Sequence, residues 1–281
     1  MRKHKFLNRH SVLGYILVSA LFAWLLFYGI ANLIGAILYS SGVDTYPAMT
    51  IGYIIAAFPA VALHQLFFKG EFNGFFGCPG KKGSLLTGLK AGWVMAAYWI
   101  VLIVLALVFG KFDGPSLDGL WLALFAGIGE EFQFRIFGLA YIARQSKTNR
   151  GIVIGMVATA LIFGLYHLIN LAAGAAVPIT LMQVYGASCM GLVLAYAYLK
   201  SGSILPIIIL HGMTDFVGFM DSAQIQDGLQ VATSLTLANY IDIAACTLMV
   251  VYVIFRLTRA GELDGIRETW ALKWNKAAAA E

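Results

Sequence analysis

Hydrophobic residues are concentrated in eight long stretches of the chain, and polar residues are concentrated in the short segments between them. The stretches cover residues 11–39, 47–68, 84–110, 116–143, 151–174, 178–199, 202–219 and 232–255. A helix needs about 17–25 residues of this kind to cross the hydrocarbon core of a bilayer. The pattern therefore predicts an all-α fold, a polytopic membrane protein with about eight transmembrane helices.

The composition agrees with a chain that lies mostly in lipid, because 60% of the 281 residues are hydrophobic and only 12% are charged. The eight stretches leave no room for a sizeable soluble domain. We therefore expect a single membrane domain over residues 1–281, in which residues 116–219 form a core that carries the main polar groups. Residues 260–281 are expected to form a tail on the inner surface, because Trp270 and Trp274 among charged residues suit a short helix that rests there.

Basic residues lie on one side of the predicted membrane. With the N-terminus inside, the inner segments hold nearly all of them: Arg2, Lys3, Lys5, Arg9, Lys69, Lys81, Lys82, Arg144, Lys147, Arg150, Lys200, Arg256, Arg259, Arg267, Lys273 and Lys276. The outer segments hold Lys111 together with Asp44, Asp113, Asp221 and Asp227. This positive-inside distribution predicts that both termini are cytoplasmic. Topology and contact with the anionic lipid bilayer explain the net charge of +5, so we expect no nucleic-acid partner.

Three ionisable residues interrupt the fourth hydrophobic stretch: Glu130, Glu131 and Arg135. Charged groups in the middle of a membrane are costly and are functional candidates by default. Because Glu131 and Arg135 are four residues apart, they lie on one helical face and can form a supporting ion pair. Glu130 points about 100° away from Glu131 around the helix, so it can face a different cavity, where that arginine does not pair with it.

Two further stretches carry polar residues at helical spacing. The fifth contains Phe163 and His167, with Asn170 one turn beyond in a supporting position, and the seventh contains His211 and Asp215. Counted from the inner end of each span at about 1.5 Å per residue, Glu130 lies about 20 Å deep, His167 about 24 Å and His211 about 14 Å. These depths agree within the uncertainty of the span boundaries, so we expect the groups to meet near the middle of the bilayer.

A glutamate and two histidines in one cavity are suited to hydrolysis. Glu130 can take a proton from water as general base, and His167 can position that water. His211 can donate a hydrogen bond to the oxyanion that forms at an amide carbonyl, and Asp215 can orient His211. These residues therefore predict a hydrolytic site near the middle of the membrane.

Other functions use the same residues. Glu130, His167 and His211 are also candidate metal ligands of the type found at catalytic zinc, although the chain has no HExxH motif. A buried chain of carboxylates and histidines can serve a proton-coupled transporter, but we find no inverted repeat in the sequence. A non-proteolytic regulator or scaffold with a vestigial site is the third possibility. The cofactor is therefore left open, with a divalent metal such as zinc as the candidate.

Three other polar residues within the spans have simpler interpretations. We expect His64 to be a hydrogen-bonded or interface-facing histidine, because it lies near the inner end of the second stretch. Lys90 lies near the inner end of the third stretch, so its amine can extend to the inner surface. Asp242 lies well inside the eighth stretch, where we expect a paired structural carboxylate.

Three motifs resemble those of a known family. The segment "EEFQFR" fits EExxxR, "FGLYH" fits FxxxH, and "HGMTD" supplies a histidine with an acidic residue four positions later. In this order, on separate predicted spans between residues 116 and 219, they resemble the CPBP family of CAAX proteases and bacteriocin-processing enzymes, also called Abi proteins. The resemblance implies an eight-helix intramembrane endopeptidase, whose partner is a peptide or membrane-protein substrate. It places Glu130 as the water-activating residue and His167 as its partner, with His211 and Asp215 as the oxyanion-stabilising pair.

The resemblance also places Glu131 and Arg135 in supporting positions of the first motif. Members of this family include metalloproteases and metal-independent glutamate proteases, so the resemblance leaves the metal open. Prenyl-protein members have asparagine where this chain has Asp215, and that difference points to the broader bacterial branch and to a bacterial cell membrane. Expected substrates are a bacteriocin leader, a signalling peptide or a surface protein. The substrate, the cleavage position and the oligomeric state are not determined by the sequence.

Overall fold

The computed structural model describes residues 5–9, 11–172, 174–220 and 235–275. Within these ranges the chain is helical and forms no β-strand. The predicted all-α polytopic membrane fold is confirmed. Several residues of the predicted topology lie outside the described ranges: Arg2, Lys3, Asp221, Asp227 and Lys276.

The helices follow the predicted hydrophobic stretches. The first part of the chain forms α1 (Lys5–Arg9), α2 (Ser11–Ser19), the π-helical segment π1 (Ala20–Tyr28), α3 (Gly29–Ser40), α4 (Thr45–Phe67), α5 (Ser84–Ala91) and α6 (Val94–Val108). The second part forms α7 (Leu117–Glu131), the π-helical segment π2 (Phe132–Leu139), α8 (Ala140–Gln145), α9 (Asn149–Tyr166), α10 (Ile169–Ala172), α11 (Val177–Ser201), α12 (Leu205–Gly218), α13 (Leu237–Leu257) and α14 (Glu262–Lys273).

Not every predicted span is long and apolar enough to be recognised as a membrane helix by itself. Among the described residues, five helical segments meet that test: Leu13–Ser40, Thr45–Phe67, Asn149–Ala172, Val177–Ser201 and Leu237–Leu257. A sixth is α5 together with α6, which are bent by 52°. The two remaining predicted spans, residues 116–143 and 202–219, are not recognised as membrane helices, and each has a physical reason. The helix from α7 to α8 contains the charged first motif, and α12 has only 14 residues.

Helix α12 lies in notches that glycine residues create on its neighbours. A Cβ atom at Gly88 of α5 would be 2.3 Å from the side chain of Pro206, and one at Gly92, beside the bend, would be 2.4 Å from Leu210. Such distances are shorter than real carbon contacts, so only glycine permits this packing. Trp99 of α6 adds a hydrogen bond to the Thr214 hydroxyl at 2.8 Å. The bent pair α5 and α6 therefore determines how far α12 can enter the bundle.

The C-terminal helix is an integral part of one end of the bundle. Trp270 donates a hydrogen bond to the carbonyl oxygen of Leu199 at 2.9 Å, and Trp274 donates one to Ala140 at 2.9 Å. The two indoles are only 2% and 3% exposed. Both indoles are therefore packed inside the protein, because their N–H groups find carbonyl partners there. The placement of residues 260–281 on the inner surface stays a prediction, and residues 276–281 lie outside the described ranges.

Two of the three isolated polar residues behave as expected. Tyr98 donates a hydrogen bond to the Asp242 carboxylate at 2.5 Å, which confirms a paired structural carboxylate, and Lys90 is exposed. His64 differs from the prediction. It is 1% exposed, and its Nδ1 atom has no hydrogen-bond partner. Five phenylalanine rings and one indole surround it: Phe22, Phe68, Phe72, Phe75, Phe137 and Trp274.

Candidate active site

Two glycine residues bring α7 and α12 into backbone contact. A Cβ atom at Gly127 would lie 2.9 Å from the carbonyl oxygen of Ile208 and 3.1 Å from the Cα atom of Gly212. A Cβ atom at Gly212 would lie 3.2 Å from the carbonyl oxygen of Ala123. Glu131 lies one turn after Gly127, and His211 precedes Gly212 directly. The close approach therefore places the carboxylates of the first motif opposite the imidazole of the third motif.

Glu131 is the most deeply buried acid of this cluster. Its Oε1 atom lies 3.0 Å from Nη1 of Arg135, and both side chains are 0% exposed. The ion pair that the spacing of four residues predicts is therefore confirmed. Directly after Glu131 the helix continues as π2, and π-helical turns inside α-helices are frequent at functional sites.

His211 lies between three carboxylates. Its Nδ1 atom donates a hydrogen bond to Oε1 of Glu131 at 2.7 Å. Its Nε2 atom lies 3.6 Å from Oε2 of Glu130 and 3.4 Å from Oδ2 of Asp215. The imidazole can donate from both nitrogens only when it carries both protons. In this arrangement each ring nitrogen of His211 faces a carboxylate oxygen.

These contacts correct two expectations. Glu130 does not face a different cavity from Glu131, because both carboxylates approach the same imidazole from its two nitrogens. The residue that holds Nδ1 of His211 is Glu131, whereas Asp215 lies beside Nε2, the same nitrogen that Glu130 approaches. Helical spacing could not reveal either point, because both depend on the rotation of α7 against α12.

Phe163 connects the second motif to the other two. The guanidinium of Arg135 lies 4.3 Å from the centre of the Phe163 ring, and Nη2 of Arg135 donates a hydrogen bond to the carbonyl oxygen of Gly191 at 3.4 Å. The same ring contacts His211 edge-to-face at 5.6 Å and His167 at 5.2 Å. Phe163 therefore touches the buried cation and both histidines.

His167 lies at the C-terminal end of α9, next to the carboxylate cluster rather than in it. Its Nδ1 atom is 3.0 Å from the carbonyl oxygen of Phe163, which leaves Nε2 available as an acceptor when Nδ1 carries the proton. In the described part of the chain, no hydrogen bond or ion pair joins His167 to Glu130 or His211. Asn170 does not contact the carboxylate cluster that it was expected to support. Its side-chain amide donates a hydrogen bond to Oε1 of Gln183 at 2.7 Å on an exposed face.

Two tyrosines that the sequence analysis did not single out flank Glu130. Tyr53 of α4 fills the notch at Gly129, where a Cβ atom would lie 2.8 Å from its ring. Tyr166 packs against Phe134 with ring centres 5.5 Å apart. Both rings therefore pack against residues that neighbour Glu130 along the helix. The sequence contains 13 Tyr residues, so nothing in the pattern distinguished these two.

The candidate metal ligands do not form a ligand set in this arrangement. Among the residues that the structure describes, no group of three or more His, Cys, Asp or Glu side chains is arranged to hold a metal ion. Glu130 and His211 approach each other, but His167 binds a carbonyl oxygen of its own helix. In this arrangement the protein's own side chains are the groups that can act on a water molecule.

The site lies within a segment that matches a known family. Residues 112–217 match the family of type II CAAX prenyl endopeptidases, Rce1-like. The match confirms the resemblance to CAAX proteases, and it contains all three motifs although it covers less than half of the chain. It indicates a membrane-embedded hydrolase similar to CAAX proteases. No curated protein and no solved structure matches the chain.

The contact between α7 and α12 is directly testable. We expect Gly127→Ala to reduce the free energy of unfolding by about 1–3 kcal/mol, because the added methyl group overpacks a backbone contact. The measurement is unfolding of the purified protein in detergent. Gly265→Ala in α14 is the matched control, since no heavy atom lies within 4 Å of its added Cβ and both changes gain the same helix propensity. Equal stability of the two variants would contradict the close approach.

Proposed function

We propose that this protein is an intramembrane endopeptidase that hydrolyses a peptide bond of a membrane-associated peptide or protein tail, with Glu130 as general base. The supporting observation is that a carboxylate with a 20% exposed side chain stands 3.6 Å from Nε2 of His211 inside the segment that matches CAAX endopeptidases. The partial exposure shows that the protein does not enclose Glu130 completely, which a group that takes a proton from water requires. The remaining groups of the cluster keep that carboxylate in place.

The reaction needs one water molecule and one proton shuttle. Glu130 takes a proton from water, and the water oxygen forms a bond to the carbonyl carbon while the π electrons of the carbonyl group move to its oxygen. The tetrahedral intermediate collapses when the C–N bond breaks and its electron pair goes to nitrogen. Glu130 then returns its proton to that nitrogen. The products are a carboxylic acid and an amine, and Glu130 is regenerated.

The other side chains have separate tasks in this proposal. His167 uses its free Nε2 atom to orient the attacking water. Glu131 fixes the His211 ring through a hydrogen bond at Nδ1, and Nε2 of His211 lies near the carboxylates of Glu130 and Asp215. Arg135 balances the charge of Glu131 in a place without water. This assignment leaves Asp215 beside His211, as a positioning group that does not contact the oxyanion.

The substrate class follows from the location of the site and from the family match. A site between membrane helices admits peptide segments that already lie in or at the lipid, and the matching family is described as type II CAAX prenyl endopeptidases, so we propose a CAAX tail as one candidate substrate. A bacteriocin leader, a signalling peptide and a surface protein remain the other candidates. We propose a single membrane domain in a cell membrane, with both termini in the cytoplasm, on the basis of the charge distribution. The bacterial source is proposed from Asp215, which points to the broader bacterial branch of the family.

Peptide cleavage by the purified full-length protein tests the proposal. Two internally quenched peptides are compared, one with a farnesylated C-terminal Cys-aliphatic-aliphatic-X tail and one with the same sequence without farnesyl. We expect cleavage that is proportional to protein concentration, with products identified by mass spectrometry, and no cleavage by another polytopic protein purified in the same way. Addition of a metal chelator to the assay is expected to leave the rate of peptide cleavage unchanged. Absence of cleavage of both peptides would overturn the proposal and favour a regulatory role.

A further inference from the structure

One face of the helix bundle, which we call the tail face, is covered by α14 and by residues 68–83. The Asn149 side chain, at the start of α9, donates a hydrogen bond to an aspartate of α14 at 3.2 Å. The backbone N–H of Ile204, directly before α12, donates to the carbonyl oxygen of Phe75 at 3.0 Å. Lys273 of α14 is 0% exposed and donates to two carbonyl oxygens of residues 68–83. Helices α9 and α12 therefore start at the tail face and run toward the opposite one, which we call the far face.

His167 and Asp215 lie close to the far face. His167 directly follows the 18 residues of α9, so it is about 27 Å from the start of that helix, and the end of the span at Ala172 is only about 8 Å farther on. Asp215 lies in the last turn of α12. Just after that turn, the carbonyl oxygen of Met220 accepts a hydrogen bond at 2.9 Å from Asp113, which belongs to the loop between α6 and α7. Both side chains are therefore separated from the far face by only a turn or two of helix.

The exposure of the site increases in the same direction. On α7 the Glu130 side chain is 20% exposed, whereas all eight residues of π2, which follow toward the tail face, are buried. On α12 the Asp215 side chain is 23% exposed, whereas that of His211, one turn nearer the tail face, is 2% exposed. On α9 His167 is half-buried and Phe163 is 0% exposed. On each of the three helices, the partly exposed group is the one nearer the far face.

Two amide side chains mark the rim of the site at the far face. Asn170 follows His167 by about one turn and donates a hydrogen bond to Gln183 at 2.7 Å on an exposed face. Amide groups are costly to place in hydrocarbon, so this rim suits water or lipid headgroups. The hydrogen bond uses one donor and one acceptor, and the remaining donors and acceptors of the two amides can bind a peptide backbone.

We propose that the substrate reaches Glu130 from the far face and is an extracytoplasmic peptide segment, such as part of an exported peptide or of a surface protein. This inference rests on the proposed peptidase function and on the proposed orientation, which has both termini in the cytoplasm and thus places the far face outside. A tail that is exposed only in the cytoplasm would meet the covered tail face, where π2, α14 and residues 68–83 separate it from the site.

The first test measures which face admits a water-soluble reagent, and it does not depend on proteolysis. Full-length His167→Cys is treated with a charged methanethiosulfonate in right-side-out and in inside-out membrane vesicles. We expect the new thiol to react at least about tenfold faster in right-side-out vesicles, because the reaction needs a water-exposed thiolate. The three native cysteines are buried, so they contribute little background.

Control variants fix the interpretation of this labelling. Thr159→Cys replaces a residue that is 2% exposed, about two turns nearer the tail face on α9, and it should remain unmodified in both preparations. Lys111→Cys and Lys82→Cys replace exposed residues in the loops between α6 and α7 and between α4 and α5. They should react in right-side-out and in inside-out vesicles, respectively, and they report the orientation of the chain.

The second test measures the face from which the wild-type protein cleaves. The unmodified quenched peptide, with a sulfonated fluorophore, is added to the same two vesicle preparations. We expect an initial rate at least about tenfold higher in right-side-out vesicles, because hydrocarbon keeps a charged peptide on the side to which it is added. After solubilisation in detergent, both preparations should cleave at the same rate per amount of protein.

The outcomes separate this inference from the peptidase proposal. Faster labelling of His167→Cys or faster cleavage in inside-out vesicles would overturn the inference and leave the peptidase proposal intact. Labelling of His167→Cys from neither side would overturn the open far face. Lys82→Cys that reacts in right-side-out vesicles would place the far face in the cytoplasm and overturn the extracytoplasmic substrate. Absence of cleavage even in detergent, with labelling as expected, would overturn the peptidase proposal instead.

Discussion

Replacement of Glu130 by glutamine is expected to lower kcat for peptide cleavage by about 10²–10⁴-fold. Glutamine has nearly the same shape as glutamate but cannot accept a proton from water, and general-base catalysis contributes a factor of this size. The structure predicts little effect on folding, because the Glu130 side chain is partly exposed and its contact with His211 is 3.6 Å long. The measurement is steady-state cleavage of the quenched peptides, together with thermal unfolding in detergent.

The chain offers a matched control for this substitution. Asp242 is another carboxylate inside a predicted span, but it lies on α13 and accepts a hydrogen bond from Tyr98. Asp242→Asn removes one negative charge from the membrane region without touching the site, so cleavage should remain within about twofold of wild type, since no part of the transition state is lost. A Glu130→Gln protein that cleaves as fast as Asp242→Asn would rule out Glu130 as the base.

The second large effect is expected from Arg135→Met, which should lower the free energy of unfolding by about 3–5 kcal/mol. Removal of one partner from a buried ion pair leaves a charge without its partner. The resulting loss of stability is larger than the net contribution of the ion pair to folding. Glu131 is 0% exposed, and its Oε2 atom already lacks a hydrogen-bond partner. The substitution also removes the cation that lies over Phe163. Unfolding in detergent, followed by circular dichroism, measures the change.

Two controls distinguish burial from charge. Arg267 pairs with Asp264 at 3.8 Å on the surface of α14, so Arg267→Met should change stability by less than about 1 kcal/mol. The double variant Glu131→Gln with Arg135→Met should recover part of the loss, because no buried carboxylate then stays without its arginine. A single Arg135→Met variant as stable as Arg267→Met would show that the buried pair does not hold this part of the bundle together.

The contrast between His64 and Asp242 illustrates how far a polar residue in a span can be interpreted from sequence. Asp242 was expected to be paired, and a carboxylate in lipid does need a donor, which Tyr98 provides. His64 was expected to be hydrogen-bonded or at the interface, but six aromatic side chains enclose it, and three of them, Phe22, Phe137 and Trp274, come from distant parts of the chain. A neutral imidazole tolerates such an apolar site, so its residue type alone did not predict its surroundings.

The local features of this protein were predictable from the sequence because they depend on neighbours along one helix. Lipid excludes unpaired backbone groups, so the hydrophobic stretches had to be helical. The spacing of four residues was enough to predict the Glu131–Arg135 ion pair. The order of the three motifs was enough to reveal the resemblance that the family match confirms.

The tertiary structure decided how those helices face one another. The glycine contact between α7 and α12 sets their rotation, and that rotation turns both Glu130 and Glu131 toward His211. The tertiary structure also decided that the Phe163 ring lies between His167 and His211. Contacts between helices depend on which small side chains let two backbones meet. Hydrophobicity and spacing along a single helix do not contain that information.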